Sequence, residues 1–227
     1  MTLVYKSLGF LTGLALMVIL LISSTEYVVY YMDGYFEKEY NKYEVTKSIN
    51  IEMDDLLTVT QEMMDYLKGD REDLVVYTKI GNAEREFFNA KEKKHMLDVQ
   101  SLFIKAMKLR LAAILCTVFI MAILLFFKKG SALFRGIQWG IAVFFGGLFL
   151  LFVVMVHDFN RYFTLFHEVF FSNDDWILNI KTDLLINIVP EGFFRDTAFW
   201  ILGIFGASAL IVWILSWFLA KRMKTGE

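Results

Sequence analysis

The chain has 227 residues, of which 57% are hydrophobic, above the roughly 45–50% apolar content of a soluble domain. The formal net charge is only −2 at pH 7, and the sequence carries no nucleic-acid-binding signature. This composition excludes an ordinary soluble domain. It predicts an integral membrane protein without a nucleic-acid partner.

Four apolar segments are long enough to cross a bilayer, which takes about 20 helical residues. We therefore predict an all-α membrane protein with four transmembrane helices and a mostly helical extracellular cap. The predicted order is helix 1 at 1–32, an extracellular cap running into helix 2 at 33–110, helix 2 at 111–127, a cytoplasmic loop at 128–136, helix 3 at 137–156, an extracellular aromatic segment at 157–198, helix 4 at 199–220 and a cytoplasmic tail at 221–227.

Basic residues beside the predicted spans set the topology, because Lys and Arg are retained in short cytoplasmic loops. They fall on one side of the membrane: Lys6, Lys128, Lys129, Arg135, Lys221, Arg222 and Lys224. Both termini are therefore predicted to be cytoplasmic. The first span begins like a signal peptide, but its hydrophobicity resumes from Tyr27 to Met32, so we predict an uncleaved anchor.

The predicted cap carries helical periodicity. Apolar residues recur at spacings of three and four from Leu56 to Leu67, and Gly69 follows as a C-terminal stop. The segment Val75 to Ile80 is either a short strand or irregular. From Asn82 onward we predict a second helix that continues into span two, since one stripe joins these apolar residues: Phe88, His95, Leu102 and Ala106.

The three histidines differ in their helical neighbours. His157 shares a stripe with polar residues and is predicted to face solvent, whereas His95 and His167 lie on apolar stripes. Both inward histidines lie toward the predicted outer boundary of the membrane, so they are able to meet. A lone histidine on an apolar stripe is more often a hydrogen-bonded core residue than a catalyst, but two among aromatic residues fit a ligand site.

Several other chemistries lack their motifs. The sequence from His167 opens like the metalloprotease pattern HExxH, but Phe171 stands where the second zinc ligand must be. The sequence has no Cys/His cluster, no GxSxG turn and no phosphate-binding GxxxxGK loop. We therefore predict no metal and no cofactor.

Two blocks of the sequence form a recognisable pattern. The first is His95-Met96-Leu97-Asp98-Val99, before span two. The second follows span three and comprises Phe166-His167, Phe170-Phe171, Asn173-Asp174, Trp176, Leu178, Lys181-Thr182-Asp183, Ile186, Pro190-Glu191 and Phe193-Phe194. Together the two blocks resemble the lipoprotein intramolecular transacylase family of Gram-positive bacteria. That family commonly has proline where this chain has Ile180, which leaves the local turn open.

The resemblance implies an acyltransferase of the bacterial plasma membrane, active at the outer leaflet on diacylglyceryl-modified lipoproteins. The sn-2 acyl chain would move to the α-amino group of the N-terminal cysteine, giving a lyso-form lipoprotein. His95 and His167 would be the catalytic general acid and base, in an order that the sequence does not decide. The oligomeric state, the acyl-chain preference and the particular lipoproteins also stay open.

The resemblance and the positions of the residues along the chain together indicate which residues surround the two histidines. Polar residues that orient the rings or line the site are Asp98, Asn173 and Asp174. The residues expected to hold acyl chains are Phe163, Phe166, Phe170, Phe171 and Trp176. Motif residues with an expected structural role are Asp183, Pro190 and Glu191. The alternative is a non-catalytic accessory or sensor module that binds lipid or peptide in an extracellular aromatic groove.

Overall fold

The computed structural model describes residues 2–155 and 159–224. The protein is 77% helical. Its chain separates into two compact units, each assembled from distant parts of the sequence. The spanning unit comprises Met1–Thr25, Met107–Tyr162 and Ile201–Glu227, and the cap unit comprises Glu26–Ala106 and Phe163–Trp200.

Four long helices contribute to the spanning unit: α1 at Thr2–Glu26, α5 at Ala90–Phe126, α6 at Gly130–Met155 and α9 at Glu191–Lys224. The first part of α5, to Ala106, and the first part of α9, to Trp200, belong to the cap unit. Each is long and apolar enough to cross a membrane. The single proline, Pro190, precedes α9, so no proline interrupts a span. The predicted fold class is therefore confirmed. Helices α5, α6 and α9 begin before the predicted spans, whereas α1 ends at Glu26, inside the predicted 1–32. The predicted ends at residues 1, 156–158 and 225–227 lie outside the described residues.

Glycine allows α1 and α6 to approach at backbone contact. A Cβ atom added at Gly136 would lie 2.4 Å from the carbonyl carbon of Gly9, and one at Gly140 would lie 2.6 Å from the carbonyl oxygen of Phe10. On α1, a Cβ atom at Gly13 would lie 2.6 Å from the carbonyl oxygen of Ile137. Small residues four apart on both helices are a recurrent means of packing helices in lipid, where hydrophobic burial gives no driving force.

The cap unit starts with a five-residue π-helical turn at Tyr27–Tyr31, and the short helices α2 at Tyr35–Lys42 and α3 at Val45–Ile49 follow. Helix α4 spans Met53–Lys68 and buries the predicted stripe of Leu56, Thr60, Met63, Met64 and Leu67. Gly69 ends the helix in the left-handed conformation, with φ of 88°. The predicted helix and its stop are confirmed.

The segment before α5, the helix that continues into the second span, is a β-hairpin. Strands β1 at Tyr77–Ile80 and β2 at Ala83–Glu86 pair antiparallel, and Gly81 turns between them with φ of 60°. The prediction of continuous helix from Asn82 is therefore wrong, because α5 begins only at Ala90. Glycine and asparagine adopt the turn at low cost, and this local preference outweighs the apolar spacing that made Phe88 look helical.

Two further helices complete the cap unit, α7 at Phe159–Phe170 and α8 at Leu185–Ile188. Between them the chain runs without regular secondary structure apart from turns. Helix α7 contributes to this unit from Phe163 onward. His157, which the sequence predicted to face solvent, lies outside the described residues.

Candidate active site

His95 is placed by the capped start of α5. The side-chain oxygen of Asn89 accepts the backbone N–H of Lys91 at 2.9 Å and that of Glu92 at 3.0 Å. In return, the Glu92 carboxylate accepts the Asn89 N–H at 2.7 Å. This reciprocal arrangement is a capping box, which satisfies helix N–H groups that have no partner within the helix. It fixes the first turn of α5, and His95 follows one turn later on the same buried face.

His167 lies in the last turn of α7. Its Nδ1 atom is 2.7 Å from the carbonyl oxygen of Phe163, one turn back in the same helix. A carbonyl only accepts, so this bond places the proton on Nδ1 and leaves the Nε2 lone pair free. The backbone N–H of Phe171 donates to the His167 carbonyl at 2.8 Å and directs the chain out of the helix.

The two rings face one another inside the cap unit. Their centroids are 6.1 Å apart with 37° between the planes, and each residue is only 8% exposed. Phe171 contacts both, at 5.4 Å from His95 and 5.5 Å from His167. The inward pair that the periodicity indicated is therefore assembled from two elements far apart in sequence.

Aromatic side chains surround His167. The Trp176 indole stacks on its ring at 4.8 Å and 28°, the Phe163 ring is centred at 4.2 Å, and the Phe166 ring meets it edge-on at 5.4 Å. Phe170 instead packs against Phe166 at 4.6 Å and is 52% exposed. Four of the five predicted pocket residues thus touch a histidine ring, and the fifth extends the aromatic surface outward.

The surroundings hold both imidazoles neutral. Burial and the nearby His167 lower the pKa of His95 to about 4, against the opposing charges of Asp98 and Asp175. Burial also lowers the pKa of His167, while the hydrogen bond to the Phe163 carbonyl acts in the other direction. His95 Nδ1 is buried and has no hydrogen-bond partner among residues 2–155 and 159–224. An unpartnered polar atom in a buried site is costly, so this nitrogen is available to a hydrogen-bonding group of a substrate.

The predicted polar residues separate into two groups. Asp98 accepts a hydrogen bond of 2.8 Å from the Asn173 amide, which joins α5 to the segment after α7. Asp174 is exposed, and its backbone carbonyl accepts the N–H of Ile177. The acid of this turn whose charge acts on His95 is Asp175, which the sequence reasoning did not name.

Three polar residues, Asn89, Glu92 and Asp183, connect the start of α5 with the segment that carries Trp176. We call this group the latch. Glu92 is 1% exposed and accepts the backbone N–H of Leu185 at 2.6 Å. Asp183 accepts the Asn89 amide at 2.9 Å and the Asn179 backbone N–H at 2.7 Å. Sequence reasoning missed Asn89 and Glu92, although a residue pair of the form Asn-x-x-Glu before an apolar helix was a readable capping signal.

The remaining motif residues have local roles. Pro190 precedes α9, and Glu191 occupies the first turn of that helix, where a negative charge is favourable. Ile180, where the resemblance leads us to expect proline, is 68% exposed and accepts a hydrogen bond of 2.9 Å from the Asn187 amide through its carbonyl. The same amide donates to the Asp183 carbonyl at 2.7 Å, so side-chain hydrogen bonds hold this turn in a chain without the proline.

These features define a membrane-integral protein whose helical cap buries a facing pair of histidines among aromatic residues. The model of the family described as lipoprotein intramolecular transacylase Lit matches residues 10–194. The chain belongs to this family and is an acyltransferase. The resemblance seen in the sequence is confirmed.

Solved structures support the fold. The chain is similar to the membrane-integral lipoprotein intramolecular transacylase Lit from Bacillus cereus, with a TM-score of 0.81 and 19% identity over 99% of this chain and 100% of that one. Structures of the Bacillus cereus protein with a histidine-to-arginine and a histidine-to-alanine substitution both give a TM-score of 0.78 at 19% identity. They cover 99% and 98% of this chain and 95% and 96% of theirs. Comparison with curated proteins gave no match.

Proposed function

We propose that the enzyme moves the sn-2 acyl chain of an S-diacylglyceryl lipoprotein to the α-amino group of the same N-terminal cysteine. The observation that carries the proposal is the buried pair of facing imidazoles, 6.1 Å apart, in a member of the transacylase family. One C–N bond forms, one ester C–O bond breaks, and one proton passes from nitrogen to the glycerol oxygen. The reaction needs no other reactant, and its product is the lyso-form lipoprotein.

Proximity within the substrate accounts for the simplicity of the site. The amine and the ester carbonyl carbon close an eight-membered ring through the cysteine and glycerol atoms. Well-oriented intramolecular reactions gain up to about 7–11 kcal/mol over their bimolecular counterparts. A nucleophilic side chain is therefore unnecessary, and the protein contributes orientation and proton transfer.

His167 fits the role of base. Its Nδ1–H is donated to the Phe163 carbonyl, so the free Nε2 atom is able to accept a proton. When the C–N bond forms, the nitrogen becomes cationic and acidic, and it gives one proton to Nε2. The Phe163 carbonyl then stabilises the charged ring, because a hydrogen bond to the protonated form favours that form.

His95 fits the role of acid. Burial lowers its pKa to about 4, so the ring rests neutral and becomes a strong acid whenever it is protonated. Such a group releases its proton readily to the departing glycerol oxygen. His167 passes the proton that it took from the amine nitrogen to His95, and His95 gives it to the glycerol oxygen. Both rings therefore end the cycle neutral.

The aromatic surface fits the acyl chains. Phe166 and Phe170 are 45% and 52% exposed, and they continue from the buried side chains of Phe171 and His167. Exposed aromatic rings beside polar groups are typical of the boundary between a bilayer and water. We place the reaction at the outer leaflet, on the side opposite the basic residues that flank the spans.

Accessibility labelling tests this placement. A membrane-impermeant thiol reagent applied to intact cells should label an Asp70→Cys variant and leave a Ser131→Cys variant unlabelled. Both variants are made in a background in which Cys116 is replaced by Ser, since Cys116 is the only cysteine of the chain. Labelling of Ser131→Cys without labelling of Asp70→Cys would reverse the topology.

The histidine roles are tested with purified variants and a synthetic diacylglyceryl lipopeptide. His95→Asn and His167→Asn should each lose at least about 100-fold in rate, the loss typical when a general acid or base is removed. His157→Asn serves as the matched control and should stay near normal. Substrate and product are isomers of equal mass, so tandem mass spectrometry must locate the acyl chain on nitrogen. Near-normal activity of His167→Asn would remove the histidine pair from the mechanism.

A further inference from the structure

A cavity lies within the spanning unit, and none of its lining residues belongs to the cap unit that holds the histidines. Its volume is about 730 Å³, within the roughly 300–1,000 Å³ range of small-molecule sites. Helix α1 and the start of α6 form its walls. The lining residues that define its chemistry are Tyr5, Lys6, Ser7, Lys129, Arg135 and Trp139.

The cavity is strongly cationic. Lys6, Lys129 and Arg135 all line it, and no acidic residue does. None of the three has an ion pair with an acid in the described parts of the chain, 2–155 and 159–224. The Lys129 ammonium lies 5.7 Å from the centre of the Tyr5 ring, which holds it toward α1. Three unpaired cations in one concave site favour a polyanionic or phosphate-bearing ligand.

The start of α6 adds further donors. The helix begins at Gly130, and Ser131 and Ala132 line the cavity from its first turn. Backbone N–H groups in this position have no partner within the helix, and the helix dipole favours an anion there. Two hydroxyl groups, on Ser7 and Ser131, are also available to a phosphate oxygen.

Apolar surface continues from the cationic end. Trp139 is 69% exposed, and Val143, one turn further along α6, is 54% exposed. On α1, Leu3 is 78% exposed and Leu11 is 52% exposed. Because these helices cross the membrane, this surface faces acyl chains. A soluble anion would use the cations alone, whereas a lipid would use both the cations and this surface.

We infer that the cavity binds one anionic diacyl phospholipid, with its phosphate among Lys6, Lys129 and Arg135 and its chains along α1 and α6. By the distribution of basic residues this lipid belongs to the cytoplasmic leaflet. The close glycine contacts between α1 and α6 keep the cavity walls fixed. The inference is independent of the proposed acyl transfer, which the cap unit performs.

Native mass spectrometry of the purified full chain tests the inference. The probes are dioleoyl phosphatidylglycerol and dioleoyl phosphatidylcholine, added in equal amounts. The wild type should retain one phosphatidylglycerol with at least tenfold preference. The variant Lys6→Gln/Lys129→Gln/Arg135→Gln should lose that preference. A matched control, Lys128→Gln/Lys221→Gln/Arg222→Gln, removes the same charge from the same predicted membrane side and should keep it.

Three results with the lipid probes would overturn the inference. These are equal lipid preference in the wild type, retention of phosphatidylglycerol by the cavity variant, and equal loss in the cavity and control variants, which would indicate general surface attraction. Displacement of the lipid by millimolar inorganic phosphate would indicate a site for a soluble anion instead.

A second measurement needs no cationic substitution. Brominated phosphatidylglycerol in nanodiscs should quench more tryptophan fluorescence in the wild type than in Trp139→Phe, and brominated phosphatidylcholine should show a smaller difference. An equal difference for the two lipids would contradict the assignment even if the triple variant failed to fold.

Discussion

The two units of this enzyme are stabilised by different means. In the part of the chain whose burial is described, every buried acid or histidine lies in the cap unit: Glu39, Glu92, His95, His167 and Asp183. The buried polar residues of the spanning unit are uncharged hydroxyl side chains: Thr12, Ser24, Thr117, Ser131 and Ser216. The cap unit depends on specific polar partners, while the spanning unit depends on shape. Changes of volume should therefore damage the spanning unit, and changes of charge should damage the cap unit.

The largest effect is expected from added volume at the α1–α6 contact. In Gly136→Leu the new Cβ atom would meet backbone atoms of Gly9 at 2.4 and 2.6 Å, which cannot yield as a side chain does. We expect a loss of more than about 3 kcal/mol in stability, seen as a lower thermal midpoint in detergent and a reduced monodisperse yield. Gly146→Leu, which has nothing within 4 Å of its added Cβ, is the matched control. Equal stability of the two variants would show that shape is not decisive here.

The second effect is a dependence of stability on pH that His95 creates. In the unfolded chain, His95 takes up a proton near the ordinary histidine pKa of about 6.5. In the folded protein its pKa is about 4, because burial and His167 lower the pKa more than Asp98 and Asp175 raise it. Protons therefore favour unfolding as the pH falls from about 6.5 to 4, by up to the order of 3 kcal/mol. Thermal midpoints measured across this range should fall less steeply for His95→Asn than for the wild type. Parallel curves would mean that His95 is not buried as described.

The third effect concerns the latch between α5 and the Trp176 segment. Glu92→Gln keeps the shape but leaves one oxygen to accept the N–H groups of Asn89 and Leu185, so one buried donor loses its partner. We expect a loss of about 1–3 kcal/mol in stability. Glu84→Gln, at an exposed position of β2, removes the same charge and should change stability little. A loss of similar size in both variants would attribute the effect to net charge.

The smallest effect is expected from Trp176→Ala. The indole stacks on His167 at 4.8 Å, and such ring contacts contribute about 0.5–1.5 kcal/mol beyond their buried area. We expect transacylation to slow by about tenfold while the protein stays folded with a small loss of stability, because the indole orients His167, the proposed base. Trp200→Ala, which removes an indole that is 42% exposed, should retain the wild-type rate. An unchanged rate in Trp176→Ala would exclude this indole from the site.

Periodicity predicted the elements that bury a continuous stripe. The α4 stripe and the inward position of His95 and His167 follow from residues repeated every three or four positions, because one helix face must leave water. The same reasoning failed at the β-hairpin, where Phe88 matched the helical spacing by coincidence and the Gly81 turn decided the structure. Periodicity reports which face is buried, and it does not report where a helix begins.

The polar contacts of the two histidines were harder to predict, because several of them come from the irregular segment after α7. Its sequence does not determine which of two adjacent carboxylates approaches His95, since no repeating geometry links the position of a loop residue to a direction. Asp174 was predicted, and Asp175 is the carboxylate of this pair whose charge acts on His95. The capping role of Glu92 was readable from its spacing to Asn89, but its bond to Leu185 joins residues 93 positions apart. Only the folded chain shows such a pairing.

The hydrogen bond from His167 to Phe163 joins two residues of a single helix. The tautomer of the ring is therefore inherited from α7 alone and does not depend on the segment that carries Asn173, Asp175 and Trp176. A substitution in that segment therefore alters the ring contacts around His167 while Nδ1 of the ring keeps its proton. The protonation of the ring and its packing are thus set by different parts of one short stretch of chain, from Phe163 to Trp176.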